Sequence, residues 1–402
     1  MSAEEEWRTW TSTAGTSLEA RVVSAEGDQV TLERKGGGSL KVKLGQLSQE
    51  DRDFLAEWRK PKNAVGEPRV EGVDAEPGQV SGEIQCAGDS QWSYHLYLPQ
   101  EFHTGRNWPV CFVMDPGGGS PGTLDRYKPA AERYGIILAV SKQSKNDFAD
   151  SDEAMMAMNR DVRERLPVVE GLAFASGMSG GSRMAYLMSE MDKDIAGVVA
   201  CGSGGGVYLK EKDFRPVRLR KSVIVCSLMG TNCFNRSEAA ASHKTFPKAA
   251  RLIWFAGNHD WANAELIEEA MAHVYGSTLR ESREKEHEPL REAFAAEQMS
   301  WARTKVSDEP WAALRWARFL ADFPSVASDA RALEGSLTGL ERAEKGLEVE
   351  KEMNEFAEDH FTLGDHTADA SREKAATKLA EKFSDLPQAE LIKRMGEPSV
   401  AP

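Results

Sequence analysis

Two hydrophobic periods divide the chain. Up to residue 255, apolar residues cluster in short strand-like runs. From about residue 277 they recur at three- and four-residue spacing among Ala, Glu, Lys, Arg and Leu. At the start, alternating segments at 7–11, 18–23, 29–34 and 40–44 are joined by turn residues such as Glu26-Gly27-Asp28 and Gly36-Gly37-Gly38, which predicts short half-buried strands. A helix is predicted at 48–58, with Ser48 as N-cap and Asp51 three residues on. Residues 5–60 therefore read as a small β-barrel closed by a helix. Residues 61–79, with Pro61, Pro68 and Pro77 and no period, read as a linker. Between 80 and 276, continuous apolar runs at 94–98, 110–114, 136–140, 172–175, 198–201, 223–226 and 252–255 alternate with helical patterns, including 153–165 and 181–188. Runs apolar on both faces and separated by helices predict a parallel sheet covered on both sides, an α/β domain. Residues 277–402 predict irregular helical hairpins. The segment 311–320 gathers its aromatics and leucines on one face, and 331–361 continues as one long charged amphipathic pattern. These stripes are expected to pack on one another or on the α/β domain.

Composition narrows the function classes. The 402 residues are 41% hydrophobic and 28% charged, enough for a sizeable core and more than one domain. A net charge of −14, with no basic patch, argues against a grip on a phosphate backbone, so no nucleic-acid partner is expected. The opening Met1-Ser2-Ala3-Glu4-Glu5-Glu6 has no apolar core, and no apolar run approaches the roughly 18 residues of a spanning helix. A soluble chain without a membrane span is expected, its compartment open between the cytoplasm and export after loss of a leader. There are five cysteines, and Cys111, Cys201 and Cys226 lie inside apolar runs, which predicts packed thiols rather than a disulfide framework. His360, Asp365 and His366 lie close in sequence around a Gly but without helical spacing, and no metal or other cofactor is expected.

The chemistry-bearing segment is Gly177-Met178-Ser179-Gly180-Gly181, which follows an apolar strand and leads into a helix-prone stretch. A serine at the apex of a tight strand-to-helix turn presents its hydroxyl above the sheet, and the following N–H, that of Gly180, is placed to meet a developing oxyanion. A second donor is expected after the strand at 110–114, from Gly117 or Gly118 in Asp115-Pro116-Gly117-Gly118-Gly119. A hydroxyl nucleophile needs an imidazole to take its proton, and His259 stands in the loop after the last strand, in Gly257-Asn258-His259-Asp260-Trp261. In the α/β-hydrolases that these motifs resemble, the group that orients the imidazole lies in the loop after the penultimate strand, which here reads Met229-Gly230-Thr231-Asn232-Cys233-Phe234-Asn235-Arg236. Cys233 stands where a carboxylate is expected. Asn232 and Asn235 are candidate orienters, and Glu238 and Asp260 are the nearby acids.

Residues 80–276, through the two motifs around Ser179 and His259, resemble the esterase and peptidase-like α/β-hydrolases related to dienelactone hydrolases and polyester depolymerases. The resemblance implies hydrolysis of an ester, thioester or amide through an acyl-serine intermediate, with a small acyl substrate as partner. The Arg8-Thr9-Trp10-Thr11 opening, the Val30-Thr31-Leu32 strand and the Leu47-Ser48 to Asp51 ending resemble the SH3-like homology domain of endocytic adaptor proteins. That resemblance implies a protein-binding module for peptide motifs, ubiquitin or cytoskeletal partners. Two readings follow: an esterase-type serine hydrolase, or a catalytically impaired hydrolase scaffold acting as an adaptor through its barrel.

Overall fold

The computed structural model describes residues 7–13, 15–26, 29–35, 38–58, 73–208, 214–246, 250–363, 367 and 369–400. Gly27, Asp28, Gly36 and Gly37 of the expected turns, residues 61–72 of the expected linker, and Asp365 with His366 lie outside them. The chain divides into two compact units, Met1–Pro68 and Arg69–Pro402.

In the first unit, β1 (Arg8–Thr11), β2 (Ser17–Glu26), β3 (Gln29–Arg34) and β4 (Ser39–Lys43) form an antiparallel sheet in chain order, followed by α1 (Gln49–Trp58). This sheet is compatible with a small barrel. Alternation places Trp10, Ala20, Val22, Val30 and Leu32 inside, where Leu47 and Leu55 join them. Asp51, almost fully buried, fixes the helix to the first strand: it accepts from Arg8 Nη2 at 2.9 Å, from the Thr11 N–H at 2.7 Å and from Ser48 Oγ at 2.9 Å. Its own N–H donates back to Ser48 Oγ at 3.2 Å, as an N-cap serine requires.

The second unit is built on an eight-stranded sheet. Its elements run β5 (Ile84–Gln85), β6 (Ser93–Tyr97), β7 (Trp108–Met114), α2 (Pro121–Asp125), α3 (Lys128–Tyr134), β8 (Ile137–Ser141), α4 (Ser151–Arg165), β9 (Val168–Met178), α5 (Gly180–Met191) and β10 (Ile195–Cys201). A two-stranded ribbon of β11 (Gly206–Tyr208) and β12 (Phe214–Pro216) precedes β13 (Ile224–Gly230), α6 (Arg236–His243), β14 (Arg251–Phe255) and α7 (Ala264–Glu281). Then follow α8 (Glu288–Thr304), α9 (Pro310–Leu320), α10 (Ala327–Leu337), α11 (Glu341–His360), α12 (Ala370–Lys382) and α13 (Gln388–Gly396).

The spatial order is β5-β6-β8-β7-β9-β10-β13-β14. From β8 to β14 all neighbours are parallel, whereas β6 runs antiparallel to both β8 and β5. The sheet is thus mostly rather than wholly parallel, and a mixed sheet of this order with helices on both faces fits the α/β-hydrolase fold. Side-chain alternation feeds two cores. Val113, Phe174, Val199 and Leu228 pack with Ile267, Met271 and Val274 of α7 on one face. Phe112, Ala175, Val198 and Val225 pack with Met155 and Met158 of α4 and Tyr186 of α5 on the other.

The helices after β14 belong to the same unit. The expected boundary at 276 falls inside α7, and the single pattern expected over 331–361 is broken between α10 and α11, where Gly339 takes φ +83°. Met229, Leu252 and Trp254 at the sheet edge share a core with Trp311, Val349, Met353 and Ile392, so the apolar stripes of α9, α11 and α13 do cover the sheet. All five cysteines are free and buried, and no described helix is long and apolar enough to cross a membrane.

Candidate active site

Because β9, β13 and β14 are parallel and in close register, Met178 beside Cys201, Cys201 beside Leu228 and Gly230 beside Phe255, their carboxyl ends open on one side of the sheet. Ser179, the 231–235 segment and His259 leave those three ends and meet there. Open α/β sheets hold their ligands in this place.

Ser179 adopts φ +54° and ψ −118°, one of two non-glycine residues with positive φ among those described. Such a backbone costs about 1–3 kcal/mol and persists only where the surroundings over-determine it. They do. A Cβ on Gly177 would lie 2.5 Å from Met114 O and from Gly181 O, and one on Gly181 would lie 2.1 Å from Met114 O, so only glycine lets the turn close on β7. The Ser179 N–H donates to Cys201 O at 2.8 Å. Ser182 Oγ donates toward Gly177 O (2.7 Å) and Cys201 O (2.8 Å) and accepts from the Cys201 N–H (2.9 Å), stitching the first turn of α5 to β9 and β10. The turn presents Ser179 Oγ at 2.8 Å from His259 Nε2.

Phe234 packs on the His259 ring, with centroids 4.1 Å apart. His259 Nδ1 lies 3.2 Å from Cys233 Sγ. Burial, and after it the nearby Arg183 guanidinium, hold the basicity of His259 below that of an ordinary imidazole. Burial pushes the Cys233 thiol up to about 12, so it is neutral at physiological pH. The tautomer follows from what a thiol can do. With Nδ1–H donating to sulfur, Nε2 is free to accept the Ser179 proton; with S–H donating to Nδ1, the proton sits on Nε2 and points at the serine. A carboxylate permits only the first arrangement and stabilises the imidazolium as well.

The other candidates for this position are engaged elsewhere. Asn232 Nδ2 donates to Glu397 Oε2 at 3.0 Å and faces Arg394 O and Pro398 O, away from His259. Asn235 Nδ2 donates to Gly202 O at 2.9 Å. Glu238 receives Arg183 Nη2 on both carboxylate oxygens at 3.0 Å. For Asp260 the contact in this region is through its backbone oxygen, which faces Cys201 Sγ at 3.5 Å.

Gly180 opens α5, so its N–H belongs to the unpaired, positive end of that helix. The amides opposite are occupied: the Gly117 N–H donates to Asp115 Oδ1 at 2.9 Å, and the Gly118 N–H, in a residue at φ +89°, to Asp115 O at 3.0 Å. Both are committed within their own turn. Asn146, in the loop between β8 and α4, comes against Gly180: a Cβ there would fall 1.8 Å from Asn146 Oδ1. Nothing in the sequence marked this residue, because a polar loop residue carries no period and its proximity to residue 180 is purely tertiary. Among the described residues there is no cluster of His, Cys, Asp and Glu able to hold a metal ion.

No family model matches the sequence, and no curated protein matches it. Solved structures are similar over about half of the chain. The hyperthermophilic esterase of the archaeon Pyrobaculum calidifontis is 15% identical, with a TM-score of 0.39, over 51% of this chain and 88% of that one. EstE1, a thermostable carboxylesterase from a metagenomic library, is 16% identical, with a TM-score of 0.39, over 52% and 92%. The feruloyl esterase module from Clostridium thermocellum is 12% identical, with a TM-score of 0.39, over 49% and 87%.

Proposed function

We propose that this protein is an esterase-type serine hydrolase with Ser179 as nucleophile and His259 as general base. The observation that carries the reading is the 2.8 Å approach of His259 Nε2 to the hydroxyl of a serine held in a strained strand-to-helix turn. Ser179 Oγ attacks the substrate carbonyl while its proton passes to Nε2. The tetrahedral oxyanion forms beside the Gly180 N–H, at the positive end of α5. Collapse expels the leaving group, which takes the proton from His259, and leaves an acyl-serine. Water repeats the sequence to release the acid and restore the enzyme. Cys233 accepts the Nδ1 hydrogen bond but, being neutral, adds no charge to steady the imidazolium, so turnover slower than that of a carboxylate triad is expected.

A fluorophosphonate probe and a short-chain p-nitrophenyl ester test this. Labelling and turnover that vanish in Ser179→Ala are expected; their absence in the parent protein sinks the proposal. Cys233 is also the observation that favours a second reading, in which the domain is a scaffold and binding falls to the N-terminal barrel. Under that reading the parent protein shows neither labelling nor turnover.

A further inference from the structure

An oxyanion site needs a donor on each side of the developing charge, and on one side the three glycine amides of this chain are already paired. After β7 the turn runs Asp115-Pro116-Gly117-Gly118-Gly119. Pro116 has no N–H, and the amides of Gly117, Gly118 and Gly119 donate to Asp115 Oδ1, Asp115 O and Ser141 O at 2.9, 3.0 and 2.9 Å. The wall facing Gly180 is completed instead by Asn146.

Its backbone is fixed on both sides. The Asn146 N–H donates to Pro116 O at 3.0 Å, which joins its loop to the turn after β7. The preceding Lys145 is bracketed by Ser151 Oγ, which donates to Lys145 O at 2.7 Å and faces the Lys145 N–H at 3.2 Å. The following Asp147 reverses the chain at φ +57°. The side chain then lies along the backbone of Gly180: a Cβ at that glycine would sit 1.8 Å from Asn146 Oδ1, 2.9 Å from Cγ and 3.4 Å from Nδ2. The amide thus replaces a side chain at residue 180, with its oxygen nearest the helix and its NH₂ group turned off it. Asn146 is solvent-exposed, and among the described residues its side chain has no hydrogen-bond partner.

We propose that the Asn146 side-chain amide is the second oxyanion donor, working with the Gly180 N–H in place of the Gly117 or Gly118 amide. The inference rests on the serine-hydrolase reading above. It requires no rearrangement of the glycine turn, whose amides stay paired, and it accounts for glycine at 180, where any side chain would displace the amide. A side-chain carboxamide suits the role chemically, with two N–H donors on a short stem whose backbone is fixed.

The test is steady-state hydrolysis of a p-nitrophenyl ester by the full chain and its Asn146→Ala, Asn146→Asp and Asn146→Thr variants, with thermal unfolding as a control and inhibition by a phenylboronic acid as a second readout. Asn146→Ala is expected to lower kcat by about 10²–10³-fold with KM within a few-fold. Asn146→Asp keeps the shape but replaces the donor with an anion, and is expected to lose at least as much. Asn146→Thr, with a hydroxyl donor, is expected to recover part of the loss. Boronate affinity should fall in step with kcat, because a boronate adduct places oxygen where the oxyanion forms; a purely structural role would instead move the unfolding midpoint and leave that affinity unchanged. An Asn146→Ala enzyme with kcat within about threefold of the parent, while Ser179→Ala is inactive, overturns this inference alone. A parent without Ser179-dependent turnover overturns the hydrolase reading and this inference together.

Discussion

At the scale of single residues, the proposed chemistry turns on Cys233. A neutral thiol 3.2 Å from His259 Nδ1 does not offset the charge formed when the imidazole takes the serine proton. Losing that charge while geometry survives costs about 10⁴ in rate in a serine protease triad. Cys233→Asp, which puts a carboxylate on the same backbone, is therefore expected to raise kcat by orders of magnitude, up to about that factor. Little change would mean that Cys233 does not limit the rate. The pH profile carries the same signature with a definite sign. Burial and Arg183 disfavour the charged form of His259, so the imidazole stays a base to lower pH than usual, and kcat/KM should fall on acidification only below the ordinary imidazole value of about 6.5. In Cys233→Asp the new anion favours imidazolium, so that limb should move up. A parent limb above 6.5, or a downward shift in the variant, contradicts the assignment. The meeting of Ser179, His259 and Cys233 was legible because each has a fixed place relative to a strand end. The diversion of Asn232 to Glu397, 165 positions away, was not, since it depends on where the last helix returns.

Among the elements, the strand-to-helix elbow at Ser179 depends on backbone contact rather than on propensity. Gly177 and Gly181 face Met114 O so closely that a methyl group at either could be admitted only by moving β9, β7 or the start of α5. None yields like a flexible side chain, because Ser182 ties the helix to both neighbouring strands. Gly181→Ala, at 2.1 Å, is expected to cost about 1–3 kcal/mol in urea unfolding and, by shifting Ser179 relative to His259, at least 10²-fold in kcat. A variant with parental stability and activity would mean that the turn is looser than these distances imply. The same strands show where sequence reading worked and where it failed. All seven apolar runs expected between 80 and 276 coincide with strands of the sheet. A run that is apolar on both faces signals burial but not direction, so the reversal of β6 was hidden. At two residues, β5 is too short to have a period. Gly339 broke a helical pattern whose charges continue on both sides of it.

For the unit of residues 69–402 as a whole, the C-terminal helices do more than cover a sheet edge. Arg251 of β14 and Arg315 of α9 both bind Glu269 of α7, at 2.8 and 2.6 Å, and Arg315 also pairs with Glu350 of α11. Burial alone would raise the Glu269 carboxyl; the two arginines outweigh it and bring it to about 2. This network anchors three helices to the last strand, and beyond them the chain returns to the site. The Val400 N–H donates to Asn232 O at 2.9 Å, Val400 bridges Cys233 in parallel, and Arg236 donates to both Thr231 O and Glu397 O at 2.6 Å. The 231–236 segment, which carries the partner of His259, is thus held from outside by residues 397–400. Deleting residues 397–402 would take Glu397 Oε2 and Pro398 O from the buried Asn232 amide and Glu397 O from Arg236, leaving them Arg394 O and Thr231 O, at about 0.5–1.5 kcal/mol for each hydrogen bond lost. The loss falls on the one segment that sets the distance from Cys233 to His259. The truncated protein is therefore expected to keep its fold but to lose about tenfold or more in kcat, with faster amide exchange at 231–236 and little change in the elbow at 177–182. If exchange at 231–236 and kcat both stay parental, the tail is only a cover. If exchange rises evenly through β9, β10 and β13, it is a general stabiliser rather than a clamp on the site.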